Sequence, residues 1–124
     1  MHDGIFPLLK QQGIMTAFCS GESDASIENR AKKLQIDHLI MGSKDKVKDI
    51  SALLQKLNLD FGQVAYVGDD VNDLPSLHAV GCPCTVADAM PANRACAIYV
   101  TRRPGGQGAV REICDVLVQL HTPS

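Results

Sequence analysis

Asp69, Asp70 and Asp73 stand close together, directly after the apolar run Val64-Ala-Tyr-Val67 and the glycine, Gly68, that stops it. Carboxylates so crowded repel one another unless a cation or a lysine offsets them. Hard oxygen ligands of this kind suit Mg²⁺, which keeps several of its waters and takes few protein groups. The same residues also fit a plainer role, an acidic helix N-terminus in which Asn72 or Asp70 caps a helix beginning near Asp73. Spacing alone leaves both readings open.

Two further polar groups follow apolar runs in the same way. Ser20 comes directly after Ile14–Cys19, and Lys46 opens a helical pattern after His38–Met41. A hydroxyl, an ammonium and a carboxylate at successive strand ends suit a phosphate. The first two bind its oxygens, and the third holds a metal that neutralises it. Taken singly, Ser20 reads as a helix cap and Lys46 as a solvated surface lysine. It is the ordered set that points to chemistry.

The elements that must position these groups alternate along the chain. Ile5, Leu8 and Leu9 predict a helix from Asp3 to Gln12, ended by Gly13, and Ile14–Cys19 a strand. Ile27, Ala31 and Leu34 share a helical face, and His38–Met41 reads as a second strand. A helix over Lys46–Leu57 buries Val47, Ile50, Leu53, Leu54 and Leu57. Then come the strand Val64–Val67, a helix over Leu74–Ala79 and strands at Cys82–Val86 and Ile98–Thr101. A flexible loop at Gly105–Gly108 and a closing helix over Ala109–Leu120 complete the pattern. Such alternation predicts an α/β fold with a parallel sheet covered on both faces. In such sheets ligands bind beyond the carboxyl ends of the strands, where Ser20 and Asp69 would lie.

Composition narrows the search. A chain of 124 residues is one domain at most, and 45% hydrophobic with 21% charged residues is ordinary for a globular protein. A net charge of −2 supplies no basic surface for nucleic acid, and no apolar run approaches a membrane span. The five cysteines, Cys19, Cys82, Cys84, Cys96 and Cys114, mostly fall in apolar runs. Cys82-Pro-Cys84 is too tight for an easy disulfide and lacks a second pair for zinc, so reduced, buried thiols in a cytoplasm are expected.

Ser20-Gly21, Lys46 and Gly68-Asp69-Asp70-Val-Asn-Asp73 resemble the second, third and fourth motifs of the haloacid dehalogenase superfamily of phosphatases. The tail Gly105-Gly106-Gln107-Gly108-Ala-Val-Arg111-Glu112 is similar to that of its capless branch. That branch includes the 3-deoxy-manno-octulosonate 8-phosphate and nonulosonate 9-phosphate phosphatases. The similarity runs from Asp3-Gly4 to Leu120, so the chain is expected to be a single domain of this kind over 1–124. The resemblance implies a Rossmann-like three-layer sheet, an aspartyl-phosphate mechanism with Mg²⁺, a phosphorylated sugar-acid substrate and a tetramer. Carried over by position, Asp69 and Asp70 would hold the metal, Asp73 would brace the loop and Lys46, and Ser20 and Lys46 would hold the phosphoryl group. Arg111 would lie near a substrate carboxylate or a neighbouring subunit. Octulosonate enzymes typically carry Thr-Gly-Arg where this chain has Ser20-Gly21-Glu22, and Glu22 with Lys33 would favour a nine-carbon sugar acid, as in sialic-acid metabolism; a bare surface charge at both positions is the plainer reading.

The family's nucleophile lies in an Asp-x-Asp-Gly turn after an opening strand, and no Asp-x-Asp occurs in this sequence. That strand would sit between those ending at Ser20 and Asp69, so the chain as given is expected to bind Mg²⁺ weakly and hydrolyse phosphate esters poorly. A non-catalytic oligomerisation module, like the C-terminal domain of acylneuraminate cytidylyltransferase, is the competing expectation. A response-regulator-like receiver fits the acidic pocket but not the chain order, because its lysine follows its aspartates.

Overall fold

The computed structural model describes residues 13–104 and 112–116, and the chain divides into two compact units, 1–44 with 113–124 and 45–112. The expected helix Asp3–Gln12, the loop Gly105–Gly108 and Arg111 lie outside the described residues. Of the expected closing helix, residues 112–116 are described and are helical.

The first unit is a short β-α-β turn: β1 (Ala17–Cys19), α1 (Ala25–Lys33) and β2 (His38–Ile40). β1 and β2 run parallel, with Ala17 opposite His38 and Cys19 opposite Ile40. Both strands are shorter than their apolar runs. At their entry, side chains take the place of the ladder: Asp37 accepts from the Thr16 amide at 2.9 Å, and the Asp37 amide donates to the Thr16 hydroxyl at 3.1 Å. Asp24 caps α1 by accepting from the Ser26 amide, and Ala31 is its buried contact.

The second unit holds α2 (Lys46–Leu57), β3 (Ala65–Val67), α3 (Leu74–Ala79), β4 (Cys82–Thr85), α4 (Pro91–Cys96) and β5 (Tyr99–Val100). Its sheet is parallel in the order β3-β4-β5, with Tyr66 opposite Pro83 and Cys84 opposite Tyr99. Pro83 sits in the middle strand, normally a poor place for a residue with no N–H. Here the ladder with β5 begins only at Cys84, while the Pro83 carbonyl still accepts from Ile98 at 2.8 Å. The α2 face has the expected composition: Ile50 and Leu54 are buried, and Val47, Leu53 and Leu57 are partly buried. Leu77, Cys84, Val80, Val86 and Ala89 complete the apolar core of this unit.

The parallel α/β character therefore agrees with the alternation in sequence, but the strands fall into two ladders rather than one continuous sheet. Each ladder ends at the strand expected to flank the family's opening strand, β1 in one and β3 in the other. The helix α4 was not expected. Its six residues carry no apolar period, and its one sequence signal is Pro91 at the first turn, where a missing N–H costs nothing.

Candidate active site

β3 delivers the acidic loop. Gly68 ends it with its amide bonded to the Cys84 carbonyl at 3.1 Å, and the chain then turns through a single 3-10 turn at Val71–Asp73 into α3. A side chain at Gly68 has no room: its Cβ would lie 2.4 Å from the Cβ of Asp73. The turn closes on itself. Asp73 donates its amide to the Asp70 carbonyl at 2.9 Å, and the Asp70 amide donates to Asp73 Oδ2 at 3.3 Å. Asp70 Oδ1 accepts from Val71 at 2.7 Å, so of the two expected caps it is Asp70, not Asn72, that closes this turn.

Asp73 is the hub. It is 7% exposed, and its Oδ1 accepts from Lys46 Nζ at 2.9 Å and from the Tyr66 hydroxyl at 2.7 Å. Burial by itself pushes its carboxyl up. The Lys46 and Tyr66 hydrogen bonds, the lysine charge and the Asp70 amide outweigh it and hold the group below the usual carboxylate range. Lys46 is placed to do this by α2, which it opens, and by Asp45, which caps that helix through the Lys48 amide at 3.1 Å.

Asp69 differs from Asp73. It is exposed, and among the described residues no hydrogen bond or ion pair engages its carboxylate. Its loop is nevertheless fixed, because its carbonyl accepts from the Met90 amide at 3.4 Å and the flanking carbonyls are also held. An available carboxylate on a fixed loop, beside a second exposed one at Asp70, fits a hard divalent cation. Among the described residues no three His, Cys, Asp or Glu side chains cluster, so such a cation would take most of its ligands from water or substrate. Mg²⁺ accepts that arrangement readily.

In the first unit, Ser20 lies at the end of β1. Its amide donates to Ile40 at 2.9 Å, its carbonyl accepts from Ser43 at 3.0 Å, and its Oγ accepts from the Glu22 amide at 3.1 Å. Gly21 and Glu22 are exposed in the turn that follows, and Lys33 is exposed in the last turn of α1. No ion pair joins Glu22 to Lys33; the pair made on this helix is Lys32 with Glu28 at 3.4 Å. Arg111 lies outside the described residues, but its neighbour Glu112 accepts from the Arg102 and Arg103 amides and from the Tyr99 hydroxyl at 2.5 Å.

Sequence reasoning missed Tyr66, Thr85 and Asn93. Tyr66 had a signal of a kind, a lone phenol within an apolar strand, since a buried hydroxyl needs a partner. Thr85 and Asn93 had none.

Known proteins resemble this chain in sequence and in fold. The haloacid dehalogenase-like hydrolase family matches residues 5–81. The 3-deoxy-D-manno-octulosonate 8-phosphate phosphatase KdsC of Escherichia coli is 45% identical over 105 residues, which are 85% of this chain and 56% of that protein. The chain thus spans about half the length of the curated relatives it matches. A probable YrbI family phosphatase from Pseudomonas syringae superposes with a TM-score of 0.92 at 40% identity, over 97% of this chain and 68% of that one. The octulosonate 8-phosphate phosphatase of Moraxella catarrhalis, solved with a magnesium ion, a phosphate ion and KDO, gives 0.89 at 38% identity, over 98% and 70%. The chain belongs to the haloacid dehalogenase-like hydrolase family, in the branch of the octulosonate 8-phosphate phosphatases.

Proposed function

We propose that this chain carries the metal-binding and phosphate-binding half of a Mg²⁺-dependent phosphomonoesterase acting on an eight- or nine-carbon sugar-acid phosphate. The supporting observation is Asp73, which holds Lys46 at 2.9 Å and closes the loop that bears Asp69 and Asp70. A structural domain has no physical need for a carboxylate pinned against a lysine beside an unpartnered carboxylate. The relatives above are phosphatases, which favours the enzyme over an oligomerisation module.

In this reading Asp69 and Asp70 hold Mg²⁺, which when bound neutralises charge on the phosphate oxygens. Lys46 binds a further phosphoryl oxygen as a fixed positive charge that Asp73 orients, and Ser20 keeps the phosphate-binding role that the family resemblance assigns to it. Gly21 leaves backbone room beside the substrate, while Glu22, Lys33 and Arg111 select the sugar acid. An eight-carbon substrate, 3-deoxy-D-manno-octulosonate 8-phosphate, places the enzyme in lipopolysaccharide biosynthesis, and a nonulosonate 9-phosphate is the alternative that Glu22 and Lys33 would favour. The chain works in a cytoplasmic homo-oligomer, a tetramer by family analogy. Among the described residues no helix is long and apolar enough to cross a membrane.

The sequence holds no Asp-x-Asp, the pattern that carries the family's nucleophile. The experiment is phosphate release from the 8- and 9-phosphates with Mg²⁺, by this chain and by a version preceded by a strand ending in Asp-x-Asp-Gly. Activity of the extended form alone is the expected result. Equal activity of both would overturn this map of the site, and inactivity of both would revive the oligomerisation module.

A further inference from the structure

Asn93 lies in α4, is wholly buried, and spends both hydrogens of its side-chain amide on the acidic loop. Nδ2 donates to the Gly68 carbonyl at 3.2 Å and to the Asp70 carbonyl at 2.8 Å. Both partners are acceptors only, so the chemistry fixes which way the amide faces. Thr85, also wholly buried, donates its hydroxyl to the same Gly68 carbonyl at 2.6 Å. With the Met90 amide on the Asp69 carbonyl, three consecutive loop carbonyls are held by the segment 85–93.

This arrangement has a cost. Asn93 Oδ1 is buried with no hydrogen-bond partner among the described residues, an expense that an apolar residue of similar size would avoid. The two donated bonds are what the amide adds, and both end on the loop. Among the described residues the Asp69 carboxylate engages no protein group, so its backbone is what fixes where it stands. We propose that Asn93, assisted by Thr85, is the positioning residue that sets the Gly68–Asp70 loop for cation binding. The inference rests on the magnesium reading above and adds residues remote in sequence that act through the loop rather than on the ion.

The test uses Mn²⁺ as a paramagnetic stand-in for Mg²⁺, titrated into the whole chain and followed by electron paramagnetic resonance, with amide hydrogen exchange at Gly68 and Asp70 measured in parallel. Asn93→Leu weakens Mn²⁺ binding about 10–100-fold, the range for lost support behind a metal ligand. It also speeds exchange at both amides. Thr85→Val, nearly the same shape without the hydroxyl, moves both readouts in the same direction by less, and Thr85→Ser restores both. A lowered unfolding temperature with unchanged Mn²⁺ affinity and unchanged exchange would assign Asn93 to packing alone and overturn the proposal. If the unmutated chain takes up no Mn²⁺, the magnesium reading fails and the metal part of the proposal fails with it. Exchange at Gly68 and Asp70 then decides separately whether Asn93 holds the loop.

Discussion

Lys46 Nζ and the Tyr66 hydroxyl converge on one oxygen of Asp73, at 2.9 and 2.7 Å, while its other oxygen takes the Asp70 amide at 3.3 Å. A helix start, a strand and the acidic loop are thereby tied through a single carboxylate. Lys46→Ala leaves that carboxylate short of its charged donor while nearly all of it stays out of water. The expected loss is about 1.5–3 kcal/mol, the contribution of a hydrogen bond to a charged group, since the Tyr66 hydroxyl and the Asp70 amide still serve the carboxylate. Asp73→Asn removes the more buried charge and leaves the lysine, whose side chain is more exposed and can turn to water, so it should cost less. Urea unfolding of the two variants measures the difference, and a larger loss for Asp73→Asn would contradict the arrangement.

Acid should release the same device. The folded-state pKa of Asp73 is depressed, so the stability it contributes is fully present above the unfolded-state value, about 3.9. It is lost as pH falls from there through the folded value. The chain should therefore weaken on acidification below about pH 4 more steeply than Asp73→Asn, with the two curves parallel near neutrality. Unfolding free energies measured across that range give the difference directly.

Tyr66→Phe isolates the smaller partner. Asp73 keeps Lys46 but loses a neutral hydrogen bond, expected to cost about 0.5–1.5 kcal/mol. Because the phenol is one of the groups that lower the Asp73 pKa, its removal moves that carboxyl back toward the ordinary value. Carbon-13 titration of the aspartate carboxyls follows this without any assay of activity, and an unmoved Asp73 would remove Tyr66 from the site.

Much of this was legible in sequence where the signal was local. The stripe of α2, from Val47 to Leu57, is a 3.6-residue pattern, and Gly68 after Val64–Val67 marks a strand end because glycine and clustered aspartates do not continue a sheet. The cap at Asp70 was one of two local choices. What was illegible was long-range. Thr85 lies 17 residues from Gly68 and Asn93 lies 25 away, and nothing about a polar residue in a sequence announces that it is buried. The split into two ladders, by contrast, falls where the resemblance had placed the family's opening strand, between the strands ending at Ser20 and Asp69. The expected strands at Ile14 and Ile98 also begin too early, because period-2 patterns do not say where a ladder finds its partner.

Asp69 and Asp73 should part ways under mutation although both are aspartates of one loop. Asp69→Asn removes an exposed carboxylate that has no partner among the described residues, so the folded state should be unaffected within about 0.5 kcal/mol, the usual range for surface changes. Mg²⁺ binding, followed by calorimetry, should fall more than about tenfold, since a direct ligand counts for at least as much as one in its support. Loss of stability without loss of metal would mean that the carboxylate serves the fold instead.

The two thiols of β4 should answer alkylating reagents very differently. Their sulfurs are 3.8 Å apart, and Cys84 is 2% exposed while Cys82 is partly open. Burial, reinforced by the neighbouring Cys82, pushes the Cys84 thiol up to about 12, so at pH 8 almost none of it is the nucleophilic thiolate. Iodoacetamide at that pH should modify Cys82 well before Cys84, and Cys84 should react only as the chain unfolds. Its rate, read by peptide mass spectrometry against urea concentration, should track the global unfolding curve because β4 is the middle strand of its sheet. Prompt labelling of Cys84 in the folded chain would mean that β4 opens locally. The hydrogen bond from Gly68 to the Cys84 carbonyl, which anchors the acidic loop, would then open with it.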